Sequence, residues 1–154
     1  MILTLVQAVV FITYVIFLYS YCKKTLPSIS HSYYELPNSL SYLFTFFCWG
    51  IGIPMLLQGS SAFFFISGSG LCFVGAATNF LSKGAHTNIV HYGGALFGIG
   101  GGLLGLFLEY HIQFPLWLFI GGTACILLIK KIVNKIWWVE ILAFILIITG
   151  LSIR

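Results

Sequence analysis

Six times between Met1 and Arg154 the chain passes through a long stretch of almost unbroken apolar residues, at about 2–21, 40–58, 62–81, 89–108, 115–130 and 136–153. Each is near the ~20 residues that a helix needs to cross a bilayer core. Only short connections separate them, apart from the first, residues 22–39. A chain of this kind has few other ways to satisfy its backbone, because hydrocarbon offers no hydrogen bonds and only helices or closed barrels supply their own. The expected fold is an all-α polytopic transmembrane bundle of six helices, one integral membrane domain spanning residues 1–154. The first stretch has no basic n-region and no small-residue cleavage site, so it reads as a retained helix rather than a signal peptide.

Composition closes the alternatives. Ten of 154 side chains are charged, or 6%, and 60% of residues are hydrophobic. An average soluble protein carries ~25% charge. Too little charge is present to cover a water-soluble surface, and too much hydrophobicity for disorder. Nucleic-acid binding needs a basic stripe, and the only basic run is Lys130, Lys131 and Lys135 between two apolar stretches.

The few charges choose an orientation. Lys23 and Lys24 lie in the first connection, Lys83 in the third, and Lys130, Lys131 and Lys135 in the fifth. The second and fourth hold no lysine or arginine. By the positive-inside rule the odd-numbered loops are cytoplasmic and both termini are outside. The expected location is the cell membrane, multi-pass. Trp137 and Trp138, just after Lys135, suit interfacial anchors. The two halves of such a chain would be inverted, as in many transporters, but their residues do not align into a repeat.

Glycine sets the expected packing. Gly94, Gly98 and Gly102 recur every four residues in the fourth stretch. Gly68, Cys72 and Ala76 do the same in the third. Small residues at this spacing let two helices approach closely in lipid, so these rows are expected to meet. The other reading is a glycine-lined slot or channel. In the second stretch Pro54 removes a backbone donor and predicts a kink. Cys48, Cys72 and Cys125 read as small buried hydrophobes; Cys22, beside Lys23, is a candidate for palmitoylation.

Polar residues collect on the side assigned to the cytoplasm. The first connection contributes Ser28, Ser30, His31 and Glu35. Around the third lie Asn79, His86 and His91, and Glu140 sits about one turn into the sixth stretch. The alternating serines suit an extended segment or turn, and Asn38 or Ser39 suits the cap of the second helix. Ionisable groups inside a membrane are costly and are functional candidates by default. Glu140 either forms an interfacial ion pair with Lys131 or Lys135 or faces the bundle interior. His91 either bonds a neighbouring helix or lines a pocket. A serine–histidine–glutamate set exists in composition, without the G-x-S-x-G elbow. His31, His86, His91 and Glu35 could supply zinc ligands, without H-E-x-x-H spacing. No Walker or dinucleotide motif occurs, and no cofactor or resident metal is implied.

Four segments also carry a resemblance: Ser28 to Tyr34 (SISHSYY), Leu43 to Trp49 (LFTFFCW), Ser69 to Ala77 (SGLCFVGAA) and Val90 to Ala95 (VHYGGA). Together they resemble a group of small uncharacterised integral membrane proteins of bacterial and phage genomes, which implies a shared fold and no particular activity. The stretch around His91 is also similar to DRAM-like six-helix proteins and to the CREST membrane hydrolases. The hydrolase resemblance implies zinc held by histidines, with a serine and an aspartate, across seven helices. This chain contains no aspartate.

Three functions follow as expectations. One is binding of a small ligand or lipid, or movement of a small solute, through a cytoplasm-facing polar pocket built from His91, Glu140 and Asn79 with Glu35, Ser28, Ser30, His31 and His86. A second is a metal-dependent lipid hydrolase at that pocket. The third is a structural or host-interaction protein acting through the first connection. The expected partners are the lipid bilayer, a small-molecule ligand or lipid, and a second copy of the chain; nucleic acid is excluded.

Overall fold

The structure is a computed structural model that describes residues 1–58, 61–77 and 85–153, without the side chains of Ala77 and residues 85–88. Among the described residues the secondary structure is entirely helical. In chain order the helices are α1 (Ile2–Cys22), α2 (Ser32–Glu35), α3 (Tyr42–Leu57), α4 (Ala62–Ala77), α5 (Ala85–Leu108), α6 (Phe114–Leu128) and α7 (Lys135–Ser152). Helix α1, residues 89–108 of α5, and α7 are long and apolar enough to cross a membrane. Helices α3, α4 and α6 are equally apolar but shorter, at 16, 16 and 15 residues.

Local chemistry explains several ends. Lys23 leaves α1 in the left-handed region and its N–H donates to Tyr19 O. The Ser61 hydroxyl accepts from Phe64 N–H at 3.1 Å and so caps α4. Pro115 opens α6, where its missing N–H costs nothing. Asn134 precedes α7 at φ 55°, a conformation asparagine tolerates. Its side-chain amide donates to Thr25 O at 2.6 Å and reaches Thr25 Oγ1 at 3.0 Å, tying the α6–α7 turn to the α1–α2 connection.

Consecutive long helices are neighbours, from α1 on α3 through to α6 on α7, and α7 returns to pack on α1 and α5. Helix α7 buries Trp137, Phe144, Ile147 and Leu151 among others, whereas α6 buries only Pro115. Aromatic rings join α1, α3 and α7: Tyr14 stacks on Phe47 at 4.5 Å, and Phe47 and Phe11 meet Phe144 at 5.4 and 5.6 Å. The outer surface carries large apolar side chains such as Leu5, Phe46, Phe73, Leu96 and Trp117. So extensive an apolar exterior belongs against lipid rather than water, and the protein associates with the membrane.

Helix α4 has glycine contacts on two sides. A methyl group on Gly70 would lie 2.6 Å from Gly98 N and 2.7 Å from Gly94 O of α5. A methyl on Gly68 would lie 2.6 Å from Gly52 O of α3. The α5 row is the expected one, but its partner differs. Gly94 and Gly98 meet Gly70, Leu71 and Val74, while Gly102 approaches Ser67 and Ile147 of α7. Gly68 and Cys72 turn instead to α3, and Ala76 is not among the nearest neighbours of the α5 glycines. Small residues surround α4, so the interval of four does not choose between its two neighbours.

Polar side chains inside the bundle bond to backbone carbonyls of adjacent helices. Ser67 donates to Gly98 O, Thr45 to Gly75 O at 2.9 Å, and Gln7 to Ile51 O at 3.0 Å. Ile51 lies three residues before Pro54, in the turn that the proline disturbs. Gln7 also accepts from the Gln58 amide at 2.9 Å.

Three further expectations are corrected. Helix α3 begins at Tyr42, beyond Asn38 and Ser39, because Leu40 and Ser41 N–H both fold back on Pro37 O and form a turn first. Trp137 is buried, and of the adjacent pair only Trp138 reaches the surface. Cys125 is exposed on α6 rather than buried.

Candidate functional site

The α1–α3 connection is the first wall of the site. It is not an extended tether. Leu26, Ile29 and Leu36 are buried and pin it to the bundle. The Ser28 hydroxyl accepts from His31 N–H at 3.0 Å and lies 2.9 Å from Ser30 Oγ, which closes a turn into α2. Ser32 is buried at 2.7 Å from the Tyr14 hydroxyl.

Glu140 joins this connection to α7. One of its carboxylate oxygens accepts the backbone N–H of Ile29. The bond gives a loop N–H in the interior an acceptor that no neighbouring backbone supplies. Among the described residues Glu140 makes no ion pair. Lys135 instead donates to Leu127 O at 2.5 Å, in the last turn of α6, where a cation suits the helix terminus. Of the two readings for Glu140, an ion pair with Lys131 or Lys135 is not formed, and the side chain bonds loop backbone instead.

Beside this bond lies a cleft of about 770 Å³ between the connection, α5, α6 and α7. Ser28, Ser30, His31, Tyr34, His91 and Glu140 form its polar end. Ala95, Ile99, Gly100, Phe119 and Val139 form an apolar continuation. Gly100 leaves open space where a larger side chain would intrude. On α5 the lining residues His91, Ala95 and Ile99 succeed one another every four residues, one face of the helix over ~12 Å. The cleft is thus polar at the lysine-bearing end of the bundle and apolar toward its middle. Among the described residues no lysine or arginine lines it.

Five residues singled out from the sequence therefore line one cleft: Ser28, Ser30, His31, His91 and Glu140. Glu35 stands outside the lining, 3.7 Å from His31 Nε2 and 3.5 Å from Lys24 Nζ. Asn79 lies outside the described residues, as does the side chain of His86. Sequence reasoning missed Tyr34, Tyr92, Phe119 and the Ile29 N–H. The first two stand beside chosen residues, but Phe119 and a backbone donor have no distinguishing signal.

Chemically the polar end offers hydroxyls, two imidazoles and a carboxylate. It can donate to and accept from a neutral head group, or balance a cation. Among the described residues no three His, Cys, Asp or Glu side chains form a group that would hold a metal ion. Comparison of the chain with protein-family models, curated proteins and solved structures gave no match.

Proposed function

We propose that this protein is a multi-pass membrane protein that binds an amphipathic small molecule or lipid in the cleft beneath its first loop. The observation that carries the reading is the composition of that cleft: Glu140, His91, His31, Ser28 and Ser30 at one end, and an apolar wall of α5, α6 and α7 at the other. A polar head hydrogen-bonds to the first group and an apolar body lies along the second. The Glu140 carboxyl and the hydroxyls of Ser28, Ser30 and Tyr34 favour an ammonium or hydroxyl-bearing head.

The reading includes six crossings. Helices of 15–16 residues rise about 24 Å, less than the ~30 Å hydrocarbon core, which local bilayer thinning accommodates. Both termini are then outside, and the cleft opens at the cytoplasmic face with Lys24, Lys131 and Lys135. Binding is favoured over passage of a solute because the bundle interior is filled by Met55, Phe64, Leu103, Leu106 and Ile147.

The test uses lysophosphatidylethanolamine as probe and the full chain in neutral detergent. Glu140→Gln keeps an oxygen for the Ile29 N–H and removes the charge; His91→Ala opens the polar end. Each is expected to weaken probe binding roughly ten-fold, the effect of about 1.4 kcal/mol. Unchanged binding in both variants rules the site out. Cleavage of the probe together with stoichiometric zinc would replace binding with hydrolysis.

A further inference from the structure

We infer a second lipid site on the other side of α7, selective for anionic phospholipid. A groove of about 620 Å³ runs between α6 and α7. Its floor is Ile126 of α6 with Trp138, Ile141, Leu142 and Ile145 of α7. The α7 residues follow at intervals of three, one and three, a single face ~10 Å long. Lys131 stands in the lining, in the turn between the two helices, and among the described residues no acidic one lines the groove. Asn134, bonded to Thr25, holds that turn against the neighbouring connection. Lys130 is exposed next to Lys131, while Lys135 is engaged with Leu127 O.

The occupant follows from complementarity. An apolar floor open to the bilayer takes an acyl chain. A lysine beside it takes the phosphate, its methylenes lying along apolar surface with the ammonium in the headgroup layer. Free phosphate would use the lysine without the floor, and a neutral lipid the floor without the lysine. An anionic phospholipid uses both. The groove is the electrostatic opposite of the Glu140 cleft: successive residues Trp138 and Val139 line one each.

The experiment is native mass spectrometry of the full chain with phosphatidylglycerol and phosphatidylcholine of equal chain length. Phosphatidylglycerol is expected to be retained preferentially, by roughly five-fold per lysine contributing. Lys130→Gln with Lys131→Gln removes that preference, and both changes are at exposed positions, so the fold survives them. Ile145→Trp, which fills the floor, lowers retention of both lipids. Glu140→Gln leaves phosphatidylglycerol retention in place, whatever phosphatidylcholine it releases from the cleft, separating the two sites. Equal retention of the two lipids by the unaltered chain overturns the inference. So does a preference that persists without the two lysines, phosphatidylglycerol retention that Glu140→Gln abolishes, or occupation of the groove by a second copy, seen as a dimer lost in Ile145→Trp.

Discussion

Replacing Gly70 by alanine tests the packing of α4 on α5 with a single methyl group. That methyl would sit 2.6 Å from Gly98 N and 2.7 Å from Gly94 O. Ordinary contact begins at 3.4 Å, so the helices must part by about 0.8 Å, the difference between 3.4 and 2.6. The obstructing atoms are backbone, which cannot rotate away as a side chain would. Overpacking of this kind costs about 1–3 kcal/mol. Alanine returns up to ~1 kcal/mol by limiting the unfolded chain, at Gly70 and Gly93 alike, so Gly70→Ala is expected to fall about 1–3 kcal/mol below Gly93→Ala, roughly a five-fold or larger shift toward the unfolded state. Gly93→Ala is the control, because its methyl meets nothing within 4 Å. It is expected to be neutral or slightly stabilising. Unfolding by sodium dodecyl sulfate from mild micelles, followed by tryptophan fluorescence, compares the two. Equal midpoints for Gly70→Ala and Gly93→Ala would refute backbone contact as the basis of the α4–α5 pairing.

Other perturbations separate the remaining claims. Glu140→Ala leaves the Ile29 N–H without its acceptor and should cost about 1–3 kcal/mol, while Glu140→Gln costs less; hydrogen exchange at Ile29 should accelerate only in the alanine variant. Gln7→Leu removes the bonds to Ile51 O and Gln58 and is expected to destabilise by about 0.6–1.7 kcal/mol in the same detergent titration, with a gain in stability counting against them. Trp137→Ala should lose about 3–5 kcal/mol, and Trp138→Ala much less, since only the first is buried. For topology, cysteines placed at Lys24 and Lys131 should react with impermeant reagent only after the cytoplasmic face is opened, and one at His111 should react from outside.

The helical class was legible because apolar runs are long-range and redundant: no single residue decides them, whereas the four-residue α2 carries no such run. Contacts were less so. Gly94 and Gly98 announced a close approach, but α4 bears Ser67, Gly68, Gly70, Cys72 and Gly75 around its circumference, and spacing does not choose between two neighbours. Glu140 was visible as a costly charge, yet its partner is a backbone N–H 111 positions earlier, and every residue but proline has one. Trp137 and Trp138 differ by about 100° around one helix, so one faces the core and the other the surface. The site was partly visible because few polar residues exist to choose among. Its apolar wall looks like every other apolar residue in the chain.

The glycine contacts of α4 also have a mechanical consequence. Where glycine meets glycine there are no rotamers to hop and no compliant side chains between the backbones. Helices α3, α4 and α5 are therefore coupled as one stiff slab. Helix α6, with Pro115 alone buried, touches the rest through side chains that can deform. The cleft beneath the first loop thus has a rigid wall in α5 and a compliant one in α6. Any change in its width falls on α6, and a ligand that wedges the cleft open spends its work there, leaving the slab unstrained.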